Sequence, residues 1–173
     1  MGLLKQNEKE ANLLVAKVMR STFVIFTIIY LLNAFGIFTV GKVIMTIAYI
    51  GGGCLLFLPT LLVNILKKEG GYIKYVNVVC ASMFVTLLSI MLTFHVVAIY
   101  VYSIAIASLY FSKRLNILAT ALTVVGVSVG QVMAFYLDTL QDDNFTEFDS
   151  VIIFGVIPRA LILIAVAAIF TML

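Results

Sequence analysis

The sequence predicts an all-α integral membrane protein, a bundle of six transmembrane helices with both termini in the cytoplasm. Hydrophobic residues fill 64% of the 173 positions, charged residues fill only 11%, and the mean hydropathy is +1.20. Apolar runs long enough to cross a hydrocarbon core recur along the whole chain. Basic residues gather between alternate runs, which predicts the orientation.

Each apolar run is assigned to a helix because a chain in lipid must satisfy its own backbone hydrogen bonds, which leaves helices or closed barrels. Barrel strands would alternate apolar with polar residues, and these runs do not. We therefore predict one transmembrane domain over residues 21–173. Its six spans are Ser21–Val40, Val43–Ile65, Tyr75–Phe94, Val96–Phe111, Leu115–Leu137 and Val151–Leu173.

The positive charges set the orientation. With a cytoplasmic N-terminus, nine of the eleven lysines and arginines fall inside, leaving Lys42 at the outer interface and Arg159 in the membrane. The loop 138–150 then faces outside with five of the eight acidic residues. The predicted topology is therefore N-in and C-in. The formal charge of +3 reflects the inner belt of basic residues and gives no reason to expect nucleic acid as a partner.

The two ends of the chain carry separate expectations. Residues 1–20 are too polar for a signal peptide, and we predict a cytoplasmic juxtamembrane helix along or up to the inner surface. Its apolar face would hold Leu4, Ala11, Leu14, Val15 and Val18. The chain stops at IFTML without the basic residues of the other inner helix ends, so we expect a cytoplasmic domain to follow residue 173.

Arg159 lies inside the last apolar run, directly after Pro158. Eight residues past Val151, it would lie roughly 12 Å below the surface. A guanidinium at the bilayer centre costs about 2.5–3.5 kcal/mol on insertion scales, so something must compensate the charge. It could extend to the headgroups, pair with a loop carboxylate such as Asp138 or Asp149, or bind an anionic ligand.

Other polar residues fall at a matching depth. Asn33 lies seven residues from the outer end of the first span, and Gln131 lies six from the outer end of the fifth. Residues 75–111 must cross twice with about 25 Å per crossing, which is short of a core about 30 Å thick. His95, at the turn, would then lie at the floor of a shallow depression. Alternatively, His95 is an interfacial side chain bonded to a helix end.

We therefore predict an outward-open pocket for a small anionic ligand, with Arg159, His95, Gln131 and Asn33 as binding residues. Tyr100 is the further candidate, with Tyr30 and Tyr102 as other walls. The inner polar residues Asn64, Asn77 and Asn116 lie near the cytoplasmic interface and are given no role.

Glycine and proline mark the predicted packing sites and hinges. GVSVG places Gly126 and Gly130 four residues apart, a G-x-x-x-G spacing that lets another helix approach closely. The same letters fit G-x-S-x-G, but a nucleophile elbow needs a strand–turn–helix context that this chain lacks. Gly52 and Pro59 suggest close contact and a bend in the second span. Pro158 would free a backbone carbonyl near Gly155.

Enzyme function is not expected, and no catalytic residue is assigned. A rhomboid-type protease places its histidine after its serine, whereas His95 precedes Ser128. No paired intramembrane carboxylates or Cys–His dyad stands out. A single histidine and no clustered thiolates argue against zinc and haem, and no lysine lies deep enough for retinal, so no metal or cofactor is predicted. Cys54 and Cys80 are interpreted as buried small hydrophobes.

The strings LTFHVVAIYVYSIAIASLYFSKRLNI and VIPRALILIAVAAIFTML resemble the N-terminal multi-helix membrane regions of bacterial methyl-accepting chemotaxis proteins from Clostridia-like organisms. The resemblance covers nearly the whole chain and implies a homodimer in the bacterial cell membrane, followed by a cytoplasmic signalling domain. The longest outer loop has only about 13 residues. A stimulus would therefore be sensed within the membrane or at its surface, by a sensory input module that signals through its last helix.

The main alternative is a transport subunit. Six helices and about 170 residues also describe the substrate-capture subunit of energy-coupling-factor transporters, in which Arg159 could hold a vitamin carboxylate. Those subunits dock through small residues in their first helix, and ANLLVAKVMRSTFVIF lacks a convincing A-x-x-x-A pattern. A purely structural or assembly role is the third hypothesis.

Overall fold

The computed structural model describes residues 2–37, 40–68, 70–140 and 145–172, with side chains for all of these except 2–5 and 94–95. The prediction of an all-α protein is confirmed: the described residues form helices joined by short connections. The helices are α1 (Gly2–Ala34), α2 (Lys42–Ile65), α3 (Ile73–Met91), α4 (Tyr102–Ser108), α5 (Lys113–Tyr136) and α6 (Phe148–Met172).

Five of these six helices are long and apolar enough to cross a membrane, which makes this a multi-pass membrane protein. The sixth, α4, is not. The predicted span Val96–Phe111 is instead a 3₁₀ helix over Thr93–Val101 followed by the seven residues of α4. The backbone is kinked at Val96, so the continuous apolar helix is Val96–Ser108. At about 2.0 Å per 3₁₀ residue and about 1.5 Å per α-helical residue it reaches about 22 Å, which is short of a hydrocarbon core about 30 Å thick.

Helices α3 and α5 form the centre of the bundle and pack against each other. Gly126 and Gly130 of α5 face α3, where a Cβ atom would overlap the hydroxyl groups of Thr86 and Ser89. In α2, a Cβ on Gly52 would lie 2.9 Å from the Phe84 ring of α3. The glycines therefore allow backbones to approach where three helices meet.

The two prolines each accompany a π-helical turn. In α2, Pro59 is buried and is followed by the π turn Leu61–Ile65. In α6, the π turn Val151–Val156 comes just before Pro158. Proline lacks an N–H and its ring displaces the carbonyl four residues earlier. For Pro158 that carbonyl belongs to Phe154, inside the π turn, so the wider turn relieves the clash. The π turn in α2 follows Pro59 and has no such role. Both predicted bends thus coincide with irregular helix.

Successive helices run in opposite directions, so charges separate at the two ends of the bundle. The end of α2 lies beside the early part of α1, where the Thr60 hydroxyl donates to the Ala16 carbonyl at 3.3 Å. At the same end, Lys74 of α3 pairs with Glu8 of α1 at 2.5 Å. We call this the basic end, because the connections between α2 and α3 and between α4 and α5 carry lysine and arginine. The opposite end, with the loop 138–150, is the acidic end.

Helix α1 is continuous from Gly2 to Ala34, so residues 2–20 and the part of the first predicted span up to Ala34 share one helix. Of the apolar face predicted for its first half, Val15 is buried and Ala11 and Val18 are half-buried, whereas Leu14 is exposed. The inward face is rotated relative to the predicted one because α1 packs on α2 and α3 along its Asn12–Val15–Met19 stripe. Cys54 is also exposed, against the interpretation of both cysteines as buried, while Cys80 is buried.

Candidate functional site

A group of polar side chains meets near the acidic end, between α5, α6 and the 3₁₀ segment. Gln131 of α5 is completely buried, and its Nε2 donates to the Tyr100 hydroxyl at 3.3 Å. The Tyr100 hydroxyl in turn donates to the Thr93 carbonyl at 2.9 Å. On α6, Nη1 of Arg159 lies close to Gly155, as does Oε1 of Gln131. We call Thr93, Tyr100, Gln131 and Arg159 the arginine cluster.

Gly155 provides the space in which the guanidinium and the glutamine amide approach each other. A Cβ atom there would lie 3.1 Å from Nη1 of Arg159 and 3.7 Å from Oε1 of Gln131. The Phe145 ring, 3.4 Å from the same point, covers this space. Within the described residues, Oε1 of Gln131 accepts no hydrogen bond although it is buried. The cluster therefore combines a cation with an unused acceptor.

Irregular backbone carries two residues of this cluster, Thr93 and Tyr100, and lies next to a third, Arg159. Gly155 lies in the π turn Val151–Val156, four residues before Arg159. Thr93 has a left-handed φ of 37°, and Val96 interrupts the 3₁₀ segment at φ −135° and ψ 30°. A threonine with positive φ is uncommon because its branched Cβ crowds the backbone. The buried Tyr100 hydroxyl bonds to the Thr93 carbonyl within this segment, and the Gln131 bond to the same hydroxyl ties the segment to α5.

The structure brings Arg159, Gln131 and Tyr100 together, whereas Asn33 lies elsewhere. Its Oδ1 accepts a hydrogen bond from the Val40 backbone N–H at 2.9 Å, which ties the end of α1 to the connection with α2. Because α1 packs on α2 and α3, it is separated from α6 by the centre of the bundle. The side chain of His95 lies outside the described residues, and its backbone belongs to the 3₁₀ segment.

The tyrosines offered as further walls also lie away from the cluster. Tyr30 stacks on Tyr49 of α2, with ring centroids 4.4 Å apart. The Tyr102 hydroxyl donates to Thr22 of α1 at 3.0 Å. Both rings therefore fill the space between α1 and its neighbours.

Of the carboxylates considered for Arg159, neither Asp138 nor Asp149 forms an ion pair with it within the described residues. Asp142 and Asp143 of the same loop lie outside the described residues. Among the residues that are described, no three histidine, cysteine, aspartate or glutamate side chains are grouped to hold a metal ion.

A second polar cluster, near the basic end, was missed by the sequence reasoning. Asn77 is completely buried, and its Nδ2 donates to the Tyr110 hydroxyl at 2.8 Å and to Oδ1 of Asn12 at 3.4 Å. The Tyr110 hydroxyl donates to the same Oδ1 at 2.8 Å. We call these three residues the asparagine cluster. Asn12 shares the seven-residue spacing of the buried Met19 and Phe26, a signal that could have placed it inside.

Comparison with known proteins adds no assignment to this geometry. No family model, curated protein or solved structure matches the chain. The proposal for function therefore rests on the arrangement of the described residues.

Proposed function

We propose that this protein is the membrane-embedded sensory input module of a bacterial signal-transduction protein of the chemotaxis type. The observation that supports it best is the position of Arg159. The guanidinium and the unused Gln131 acceptor meet at Gly155, inside the π turn of α6 and just before Pro158. A stimulus that changes this contact acts directly on the most irregular part of the last helix.

The chemistry of the cluster suggests the kind of stimulus. A guanidinium binds carboxylate or phosphate through paired N–H donors. The buried Oε1 of Gln131 accepts from an N–H or O–H group. A small anion that also carries a donor, such as an amino acid or a hydroxy acid, would accept from the guanidinium and donate to Oε1 of Gln131. It would act by binding one arrangement of α6 more tightly than the other.

The π turn supplies two such arrangements. A π turn holds one more residue than the corresponding α-helical turn. Conversion to regular α-helix would rotate the following part of α6 by about 100° and shift it by about 1.5 Å. Residues 157–172 would carry this movement to the basic end. In the proposed topology the chain crosses the membrane six times and both termini lie in the cytoplasm. The movement would therefore reach the cytoplasmic signalling domain of a homodimer, or separate cytoplasmic signalling proteins.

A distance measurement in the full chain tests this coupling. Nitroxide labels at Phe111 and Met172, which are 90% and 88% exposed, report on α6 relative to the α4–α5 turn after Cys54 and Cys80 are replaced by alanine. In lipid nanodiscs we expect Arg159→Gln to move the distance peak by several ångströms. Lys42→Gln is the matched control, because it removes an exposed charge near the same end.

The control distribution should remain that of the parent protein. An unchanged distribution in Arg159→Gln, or the same shift in both variants, would remove Arg159 from any signalling role.

A further inference from the structure

A cavity of about 670 Å³ opens at the basic end, at the other end of the bundle from the arginine cluster. It lies between the first turns of α1 and the connection from α2 to α3, and Lys9, Lys67 and Lys68 border it. Its volume falls in the range of sites that hold small molecules. The proposed sensory function makes no use of this cavity.

Among the described residues that line the cavity, the lysines outnumber the carboxylates, which favours an anion. Glu8 is the carboxylate among the described residues that line the cavity, and its Oε1 forms an ion pair with Nζ of Lys74 at 2.5 Å. Lys67 and Lys68 form no ion pair with any residue that the structure describes. Both follow the π turn that ends α2, where Lys67 has a φ of 45° and the Lys68 N–H donates to the Leu62 carbonyl at 3.0 Å. This tight connection holds two exposed ammonium groups at the opening.

Asn12 adds a donor to the cavity wall. The residue is 7% exposed, and its Oδ1 already accepts from Asn77 and Tyr110. Among the described residues, nothing accepts a hydrogen bond from its Nδ2. Because Asn12 lines the cavity, the amide N–H group is the part of its side chain left to donate to a ligand there.

The remaining wall is apolar and faces the surroundings of the bundle. Leu13 of α1 is 43% exposed, and Val63 of α2 lines the cavity beside it. Both belong to helices long and apolar enough to cross the bilayer, close to the ends of those helices. A soluble anion has no apolar part to pack against this wall, whereas an amphiphile packs its acyl chains there.

We propose that this cavity binds the headgroup of an anionic phospholipid. The phosphate oxygens accept hydrogen bonds from Lys67, Lys68 and Nδ2 of Asn12, and the acyl chains leave the cavity along Leu13 and Val63. Basic pockets between transmembrane helices are a known arrangement for headgroup recognition. The proposal stands apart from the sensory function, because its residues lie at the opposite end of the bundle.

Native mass spectrometry of the full chain in detergent tests the site with palmitoyl-oleoyl phosphatidylglycerol and the corresponding phosphatidylcholine. We expect the parent protein to prefer the anionic lipid, and Lys67→Gln/Lys68→Gln to lose about 30-fold in that affinity. Lys67→Arg/Lys68→Arg should retain the preference. Lys113→Gln/Arg114→Gln is the matched control, because it removes two charges from the same end outside this cavity.

Each outcome decides the matter, provided that thermal unfolding shows all variants folded. An equal loss in both glutamine variants would assign the effect to general surface charge and overturn the site. An unchanged lipid preference in Lys67→Gln/Lys68→Gln would do the same. Glycerol 3-phosphate is the soluble arm: if it binds as tightly as phosphatidylglycerol, the occupant is a free phosphate ester and the lipid proposal is wrong.

Discussion

The two buried polar clusters have similar members but lie on different kinds of backbone. Each contains a tyrosine hydroxyl that donates to one oxygen and accepts from one amide. Each also leaves one buried amide oxygen without a partner in the described residues, on Asn77 and on Gln131. The asparagine cluster joins the regular helices α1 and α3 to the turn after α4, where Tyr110 lies. The arginine cluster joins the regular helix α5 to a 3₁₀ segment and to the part of α6 that directly follows its π turn.

This difference in backbone indicates which of the two clusters can rearrange. Regular helices hold their side chains through an unbroken ladder of backbone hydrogen bonds, so a change at Asn77 has no nearby backbone to adjust. A π turn and a kinked 3₁₀ segment have close alternatives that differ by one hydrogen-bond register. The asparagine cluster therefore fixes the basic end, and the arginine cluster is the part that can respond.

Tyr110→Phe is expected to have the largest effect on stability. It removes the hydroxyl that makes two 2.8 Å bonds and leaves the buried Asn77 and Asn12 with only their 3.4 Å contact. Buried polar groups that lose their partners cost about 1–3 kcal/mol, and we expect about 2 kcal/mol in thermal or denaturant unfolding. Tyr136→Phe, at a hydroxyl on a 69% exposed ring, is the control and should change little. Equal effects would contradict the structural role of the cluster.

The helices were predictable because lipid leaves the backbone few choices. The second and fifth spans were placed at 43–65 and 115–137, and the structure has Lys42–Ile65 and Lys113–Tyr136. The stretch around Val96 was placed as an ordinary span, because its composition resembles that of the other runs. Its 3₁₀ form is held by a tertiary contact that local sequence does not encode, the bond from Gln131 of α5 to the Tyr100 hydroxyl.

Residue counting along the helices predicted the height of the candidate site residues in the bundle, but not the direction in which their side chains face. Counting residues from the helix ends placed Gln131 and Arg159 at one level, and the structure has them on either side of Gly155. The same count included Asn33, which faces the Val40 N–H. Distance along a helix gives the height of a residue in the bundle, whereas its direction depends on which neighbours the helix packs against. The inward face of α1 is rotated from the predicted one for the same reason, and Asn12 was therefore not predicted to be buried.

Tyr100→Phe is the matched deletion in the arginine cluster, and its expected cost is smaller, about 1 kcal/mol. The Thr93 carbonyl and Nε2 of Gln131 both lose a partner, but the irregular backbone around them can adjust. The same unfolding measurement gives the cost. We also expect the Phe111–Met172 label distance to change in this variant and to stay constant in Tyr110→Phe. A cost as large as that of Tyr110→Phe, with no change in distance, would show that both clusters are rigid.

Gly155→Ala should have the smallest effect on stability and gives the finest test of the comparison. Alanine favours a helix interior over glycine by about 1 kcal/mol, while the new methyl group would lie 3.1 Å from Nη1 of Arg159 and 3.4 Å from the Phe145 ring. These effects oppose each other, so we expect the free energy of unfolding to change by less than about 1 kcal/mol. The guanidinium must nevertheless move, since it is the flexible neighbour. The label distance should therefore shift in the same direction as in Arg159→Gln, and a distance equal to that of the parent would place the responsive contact somewhere other than Gly155.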